Sequence, residues 1–183
     1  MRSHSKIEIQ AIITNESGRI IKKYRWKRAN SLIKQFMQDM MAHMSQVAQT
    51  VNDITNTSRA CAVSGTGIDC TAGSGVTTKG IVIGTGTNAV LMTDYALQTQ
   101  VTTNIAHGSV SVGLENPDAN TWRVALQRAF VNNTGATLSV KEVGLYAIIS
   151  GLTATMCIDR TLYAVDVPSG LTLTLTYRVT VSL

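Results

Sequence analysis

Closely spaced glycines follow a short apolar run near the middle of the chain, and such a pattern can bind nucleotide phosphates. Gly84-Thr85-Gly86-Thr87-Asn88-Ala89 comes directly after Ile81-Val82-Ile83 and matches the G-x-G-x-x-A fingerprint of dinucleotide-binding loops. That chemistry also needs a helix that begins at the loop and an acidic residue about 20 positions further on. Positions 100–110 hold no Asp or Glu, and no long amphipathic run follows. We therefore expect a glycine loop between strands and no bound cofactor.

The remaining residue types that perform chemistry are few and scattered. The histidines His4, His43 and His107 show no metal-ligand spacing. No serine lies in a nucleophile-elbow motif, and the carboxylates form no pair suited to acid–base catalysis. We therefore predict that the chain has no catalytic residue, no cofactor and no metal site, and that it is not an enzyme.

The cysteines and the apolar runs bear on the compartment. Cys61, Cys70 and Cys157 are few enough to fit a reducing compartment. Cys61 and Cys70 flank a glycine turn, where they either form a bridge across a hairpin or remain two unpaired small apolar residues. Residues 2–10 contain no apolar signal-peptide core, and no run approaches the ~18 apolar residues of a membrane span. We expect no secretion signal and no membrane partner.

Positive charge is concentrated near the start of the sequence. Residues 1–34 hold nine Lys and Arg against two Glu, a net charge of +7, whereas residues 35–183 hold seven Lys and Arg against nine Asp and Glu, a net charge of −2. Basic side chains interleaved with aromatic rings can contact phosphates and stack on bases. Alternatively, they form a solvated or partner-facing surface whose charges meet acidic neighbours. The candidate contact residues, for nucleic acid or for a protein partner, are Arg19, Lys22, Lys23, Tyr24, Arg25, Trp26, Lys27 and Arg28.

These basic residues belong to a predicted β-hairpin that precedes a predicted helix. Residues 7–13 and 19–26 flank the turn Asn15-Glu16-Ser17-Gly18, which predicts two paired strands. Apolar residues then recur at steps of three and four over 32–51, which predicts one amphipathic α-helix whose Met-rich face packs on the sheet or on another subunit. A two-stranded hairpin is marginal alone. We therefore expect residues 1–58 to form an assembly arm and residues 59–183 to form a separate β-domain.

The second half of the chain predicts that β-domain. Residues 171–183 alternate strictly, so that Leu, Tyr and Val occupy one face of a strand and Thr, Arg and Ser occupy the other. We expect the first set to be buried and the second to be exposed. The pattern predicts an antiparallel β-sandwich, of which a jelly roll is one form. Further apolar runs, separated by Gly, Asn and Pro turns, lie at 79–83, 110–114, 121–131, 136–140 and 143–149.

Three segments of this half resemble structural proteins of tailed bacteriophage virions. The first is Gly84-Thr-Gly-Thr-Asn-Ala-Val-Leu-Met-Thr-Asp-Tyr-Ala-Leu97. The second, 131–146, ends in Lys-Glu-Val-Gly-Leu-Tyr, and the third, 160–177, ends in a Thr-rich strand. The resemblance covers about residues 80 to 183. Such domains recur in heads, connectors and tails, so the resemblance implies a virion building block without assigning its position.

The resemblance implies a non-enzymatic protein that builds or decorates the head, the head–tail connector or the tail. Its partners are then copies of itself and other virion proteins, and it is made in the host cytoplasm and found in the virion. The residues leave two other functions open. One is a nucleic-acid-binding protein that uses the basic arm, and the other is a receptor- or glycan-binding tail module.

Overall fold

The computed structural model describes residues 4–29, 38, 49–61, 67–149 and 154–182. Every element with described bounds is a β-strand, and the isolated residue Gln38 is in α-helical conformation. Neighbouring strands pair antiparallel throughout. The prediction of a mainly β protein with antiparallel sheets is therefore confirmed. In chain order the strands are β1 (His4–Thr14), β2 (Ile20–Lys23), β3 (Lys27–Arg28), β4 (Gln49–Asn52), β5 (Ser58–Cys61), β6 (Ile68–Asp69), β7 (Gly80–Gly84), β8 (Ile105–Asp118), β9 (Thr121–Asn132), β10 (Leu138–Ile149), β11 (Thr155–Val167) and β12 (Thr172–Ser182).

The larger sheet, sheet A, is organised around the last strand. Its order is β2-β1-β12-β9-β8, and β3 joins the same edge of β1 as β2 does. Strand β12 pairs with β1 along its whole length, from Thr172 opposite Thr14 to Ser182 opposite His4. It pairs with β9 over the same length on its other edge. The alternating residues near the end of the sequence thus form a central strand.

The smaller sheet, sheet B, is built around β10. Strand β11 pairs with one edge of β10, whereas β7 and β6 lie along the other edge. Strands β4 and β5 form a separate hairpin. A hydrogen bond of 2.9 Å connects this hairpin to sheet B, from the amide of Ile54 to the carbonyl of Thr155 on β11. The two sheets contribute to one hydrophobic core. Its buried residues include Ile9, Ala11, Ile13, Phe130, Leu173, Leu175 and Tyr177 from sheet A and Ile81, Ile83, Val140, Val143, Met156, Ile158 and Val165 from sheet B.

The middle of sheet B is buried on both of its faces. Every residue of β7 is buried, and β10 is buried without a break from Glu142 to Ala147. A strand with one face in water alternates buried and exposed residues, so a second layer must cover the face that points away from sheet A. That layer is the segment 86–98. Because both faces of β10 are covered there, residues 143–149 form a continuous apolar run and do not alternate with polar residues.

The last strand follows its predicted alternation only in part. Leu175 and Tyr177 are buried in the core as expected, but Val179 and Val181 are 38% and 48% exposed, and Thr180 is buried. Sheet A continues past the part that shares a core with sheet B, so the inward face near the end of β12 has no apolar layer over it among the described residues. The prediction of a buried apolar set and an exposed polar set is therefore wrong for Val179 and Val181, which are exposed, and for Thr176 and Thr180, which are buried.

The predicted N-terminal hairpin is present, but it is part of sheet A. Strands β1 and β2 pair on either side of a turn in which Gly18 has a φ of +78°, a conformation that glycine adopts without strain. Strand β1 also pairs with β12 and contributes Ile9 and Ile13 to the core shared with the second half of the chain. The boundary predicted between residues 58 and 59 therefore does not separate an arm from a β-domain.

Most of the predicted amphipathic helix, residues 32–51, lies outside the described residues. Its last predicted residue, Val51, lies on strand β4 and is buried in the core. The following turn is fixed by Asp53, whose Oδ1 accepts hydrogen bonds from the amides of Thr55 and Thr57, both at 2.9 Å. An Asp that satisfies nearby amides in this way favours a turn. The residues that follow the predicted helix therefore form a turn between two paired strands.

Candidate functional site

The glycine-rich segment after β7 opens an irregular loop whose two ends are held together. The amide of Thr85 donates to the carbonyl of Thr99 at 2.8 Å, and the amide of Val101 donates to the carbonyl of Ile83 at 2.9 Å. The chain that leaves the loop therefore runs along the edge of β7 that β10 does not use. A compact surface loop with closed ends is an Ω-loop, a type that frequently carries function, and we call residues 86–98 the Ω-loop.

The side chain of Glu142, on β10, holds the Ω-loop from inside the protein. It is fully buried, and its carboxylate accepts hydrogen bonds from the amides of Gly86 at 3.1 Å, Gln98 at 3.1 Å and Thr99 at 2.8 Å. A buried carboxylate is costly unless its oxygens are satisfied, and backbone N–H groups satisfy them here. Glu142 therefore joins both ends of the Ω-loop to the central strand of sheet B.

Two glycines are needed beside this carboxylate. A Cβ on Gly86 would lie 2.5 Å from Glu142 Oε1, and a Cβ on Gly84 would lie 2.6 Å from the same oxygen. Any larger residue would have to displace the carboxylate or the loop. The Gly-x-Gly spacing that resembles a nucleotide fingerprint thus accommodates an internal carboxylate. The amide of Gly86, which a phosphate would need as a donor, already donates to that carboxylate.

Arg160, on β11, pairs with Glu142 and reaches further along the Ω-loop. Its Nε donates to Glu142 Oε2 at 2.7 Å, its Nη1 donates to Asp94 Oδ2 at 2.7 Å, and its Nη2 donates to the carbonyl of Asn88 at 3.1 Å. Burial opposes the charged guanidinium, but hydrogen bonds to Asp94 and Glu142 outweigh it and raise the pKa of Arg160. One cation therefore links two acids and a backbone carbonyl, which fixes the path of the loop.

A small apolar cluster completes the contact between the Ω-loop and sheet B. Val82, Leu97, Tyr146 and Cys157 are buried together, on the face of the sheet that points away from sheet A. The Tyr146 hydroxyl accepts a hydrogen bond from the amide of Leu97 at 2.7 Å. Gly144 leaves room for Leu97, because a Cβ there would lie 2.9 Å from Leu97 Cδ2. Burial raises the pKa of Tyr146 and that of Cys157, so both groups stay protonated and serve to pack the cluster.

The three segments singled out in the sequence, 84–97, 131–146 and 160–177, meet at this place. Glu142, Gly144 and Tyr146 belong to the Lys-Glu-Val-Gly-Leu-Tyr strand, and all three contact the first segment, 84–97. Arg160, the first residue of the third segment, pairs with Glu142. The motif residues therefore form one packing unit, and their spacing is explained by the contact between a loop and a sheet.

The outer surface of the Ω-loop is apolar at three points. Leu91, Met92 and Tyr95 are each more than a third exposed. Beside them lies a cleft of about 300 Å³, lined by residues of the loop and by Arg160. Because buried charges fix the backbone that carries these side chains, binding through them costs little ordering entropy. The arrangement suits contact with another macromolecule.

Comparison of the chain with protein-family models, with curated proteins and with solved structures finds no significant match. No relative therefore assigns a role to the Ω-loop or to the basic residues. Within the described residues, no helix is long and apolar enough to cross a bilayer.

The remaining candidates for chemistry are packing groups. The described part of the chain holds no set of three His, Cys, Asp or Glu side chains arranged to bind a metal ion. His107 is buried with its ring edge-on to Phe130, 5.3 Å between ring centroids, and burial together with the charge of Arg128 lowers its pKa. Cys70 is a free thiol whose pKa burial raises to about 12, which makes it a poor nucleophile. Of the two alternatives considered for this cysteine, the structure has the unpaired one.

The structure divides the predicted basic contact residues between two surfaces. Lys22 and Lys27 stand opposite inward-facing residues of β1, whereas Lys23 and Arg28 stand opposite outward-facing ones. Because side chains alternate along a strand, these cations point to different faces of the sheet edge. Arg19 lies apart from them, just before β2.

The aromatic rings among these residues already carry cations of the protein itself. Lys22 Nζ lies 4.6 Å from the ring centroid of Tyr24, and Arg178 Cζ lies 4.4 Å from that of Trp26. Such cation–π contacts are favourable, so a nucleic-acid base would have to displace a cation before it could stack on the face of either ring that the cation covers. Arg25 is exposed between the two aromatic residues.

A buried cation that sequence patterns did not single out connects the two sheets. Arg128, on β9 of sheet A, is fully buried. Its Nε donates to the carbonyl of Gly108 at 2.8 Å, its Nη1 to those of Lys79 at 3.0 Å and Ile81 at 2.8 Å, and its Nη2 to that of Val76. Burial lowers its pKa. The guanidinium thus joins β8 and β9 to the start of β7 in sheet B.

The sequence-based site residues include none of Glu142, Arg160 and Arg128. The available signal for each is a charged residue inside a strand that is otherwise largely apolar. A charge at such a position is costly to bury unless partners satisfy it, so it predicts a specific buried contact. The sequence alone does not say which distant backbone groups supply that contact.

Proposed function

We propose that this chain is a non-enzymatic structural protein of a tailed-phage virion, folded as an antiparallel β-sandwich in which sheets A and B face each other. It builds or decorates the head, the head–tail connector or the tail through contacts with its own copies and with other virion proteins. The observation that carries the proposal is the Ω-loop. Two buried side chains of opposite charge, Glu142 and Arg160, fix an irregular loop that displays apolar side chains outward.

The convergence of the three resembling segments supports this proposal. Residues 84–97, 131–146 and 160–177 are far apart in the sequence, yet their motif residues form the single unit around Glu142. A motif set that describes one packing arrangement is a stronger indication of a shared domain type than three short independent similarities are. The assembly function is inferred from that domain type, because a fold alone does not determine a function.

The direct test is the composition of the particle. Mass spectrometry of purified virions of the phage that encodes this chain should detect it at a copy number that is a multiple of the particle's rotational symmetry. Detection only in the infected-cell lysate, with none in washed particles, would overturn the proposal.

A second experiment tests the Ω-loop as the contact. A chain with Leu91→Ser and Met92→Ser should fold with an unchanged melting temperature, because both side chains are largely exposed, but it should be lost from the particles. The matched control carries Ile20→Ser and Ile21→Ser, two residues of similar exposure on β2. Equal incorporation of the two double variants would show that the Ω-loop makes no assembly contact.

Binding to nucleic acid is the second candidate function, and the exposed cations Lys23, Arg25 and Arg28 favour it. Among the described residues, no carboxylate pairs with these three side chains. Fluorescence anisotropy with duplex DNA at several salt concentrations tests it, because each phosphate contact contributes about −0.9 to the slope of log K against log salt. Lys23→Gln with Arg25→Gln should reduce that slope by roughly two. An unchanged slope would exclude these two cations as phosphate contacts.

A further inference from the structure

The inward face of sheet A continues past the core as an uncovered apolar surface, which we call the overhang. Six of its side chains, on three adjacent strands, are between 38% and 67% exposed. They are neighbours across the sheet, since β12 pairs with β9 and β9 pairs with β8 in register. The overhang consists of Val112, Leu114, Trp122, Val124, Val179 and Val181.

The overhang is a direct extension of the core-facing surface. Leu126 and Tyr177 lie two positions from Val124 and Val179 on the same strands, point to the same face, and are buried in the core. Exposed apolar areas of this kind in a folded protein mark interaction sites. Within the described part of the chain, the sheet therefore presents a ready-made core face that lacks its second layer.

We propose that the overhang of a second copy of this chain supplies that layer, so that two copies pack these faces against each other about a two-fold axis. This inference rests on the proposed function and deepens it by naming the partner at one surface. Two identical apolar faces match each other in polarity, so they can pack face to face as the inner faces of two packed sheets do.

The composition of the overhang does not oppose that partner. Each chain carries a formal charge of +5, so a contact between two copies costs least where the contacting surface adds no further charge. The overhang has no charged side chain. Glu115 and Arg123 stand opposite each other on β8 and β9, and because side chains alternate along a strand they point to the other face of the sheet, so neither places a charge in the contact.

The available area is sufficient for a specific contact. Six side chains of this size, each roughly half exposed, offer about 500 Å² per copy, so two copies would bury on the order of 1,000 Å². That is the lower bound for a specific interface. Trp122 lies within the overhang, and tryptophan is the residue type most often responsible for binding energy at such contacts.

Sedimentation velocity of the full chain over a concentration series tests the inference. The wild type should associate reversibly to a dimer. Leu114→Glu and Val181→Glu, on different strands, should each raise the dimer dissociation constant at least tenfold, because each places a charge in the contact. The matched control is Ile21→Glu on β2, where the side chain is as exposed as those of the overhang, and it should leave the constant unchanged.

Fluorescence gives a second readout that does not depend on a charge substitution. The chain has two tryptophans, so a Trp26→Phe chain reports Trp122 alone. Its emission should move to shorter wavelength as the concentration rises through the dimer dissociation constant. Circular dichroism melts of each variant establish that it is folded.

Three results would overturn the inference: a wild type that is monomeric at every concentration, equal weakening by Leu114→Glu and Ile21→Glu, or a Trp122 emission that is independent of concentration. These outcomes are separate from the test of the proposed function. If the chain is present in virions but monomeric in solution, only the overhang contact is contradicted. If the chain is dimeric but absent from virions, only the virion role is contradicted.

Discussion

The amide of Gly86 donates a hydrogen bond to the carboxylate of Glu142 at 3.1 Å, although the two residues are 56 positions apart in the sequence. The glycine spacing after β7 and the acid in the middle of β10 are therefore two halves of one contact. A loop held in this way behaves as part of sheet B, and the following predictions begin with it.

Gly86→Ala should destabilise the fold. Its Cβ would lie 2.5 Å from Glu142 Oε1 and 2.5 Å from Gln98 Cβ, and neither neighbour is free to move away. Overpacking of this kind costs about 1–3 kcal/mol, which thermal or urea melts measure. The control is Gly113→Ala, where a Cβ meets nothing within 4 Å. Equal free energies of unfolding for the two variants would mean that the Ω-loop rearranges around the added Cβ at no cost in stability.

Arg128→Lys should be strongly destabilising even though it keeps the positive charge. Lysine has no planar fork, so it leaves most of the carbonyls of Val76, Lys79, Ile81 and Gly108 without their donor. Each buried acceptor left unsatisfied costs about 1–3 kcal/mol, and we expect a total loss of more than about 3 kcal/mol in urea melts. Arg123→Lys, on the same strand, should change stability by less than about 0.5 kcal/mol.

Asp53 should make the fold sensitive to acid. Burial opposes its ionisation, but hydrogen bonds from Thr55, Thr57 and Arg59 outweigh it and lower the pKa from 3.8 to about 2. Because the folded-state pKa lies below the unfolded value, its stabilisation is fully present above about pH 4 and is lost as the pH falls through 2. Urea melts from pH 7 to pH 2 measure this dependence.

Asp53→Asn is the variant that isolates this contribution. It should lower the free energy of unfolding at pH 7 and remove part of the decline between pH 4 and pH 2. Asp166→Asn, at an exposed carboxylate, is the control and should follow the wild-type curve. A wild-type curve that matches that of Asp53→Asn at every pH would contradict the role given to Asp53.

Leu175 should be among the least tolerant positions of β12. It is fully buried at the centre of sheet A, so Leu175→Ala should cost about 2–5 kcal/mol through lost burial and a cavity. Thr174, its neighbour on the opposite face, is partly exposed, and Thr174→Asp should cost less than Leu175→Asp in thermal melts. If the two Asp variants unfold the chain equally, the sheet is buried on both faces at this point.

The strands could be predicted because their signal is local. The alternation of residues 171–183 follows from the two-residue period of a strand, and β7, β9 and β10 coincide with apolar runs between turn residues. The hairpin around Gly18 was predictable for the same reason. The pairing partners of the strands were harder to predict. Nothing in the sequence of residues 4–14 indicates that this strand pairs with β12, more than 150 positions later.

The candidate site could not be predicted from local patterns, because each of its contacts joins distant residues. A Gly-x-Gly segment is equally compatible with a phosphate or with an internal carboxylate, and only the position of Glu142 decides between them. The exposure of Val181 has a similar cause. Alternation assigns it to the core face, but where the second sheet stops depends on the packing of whole sheets.

The central position of β12 has a consequence for synthesis of the chain. Of the described strands β1 is made first, yet its neighbour in sheet A is the last of them. At about 5–20 residues per second, β1 waits on the order of ten seconds or more before β12 leaves the ribosome. Until then β1 and β9 each have an unpaired edge, which a neighbouring nascent chain can capture. A chain that stops short of residue 172 leaves the sheet in two halves, with the core open between them.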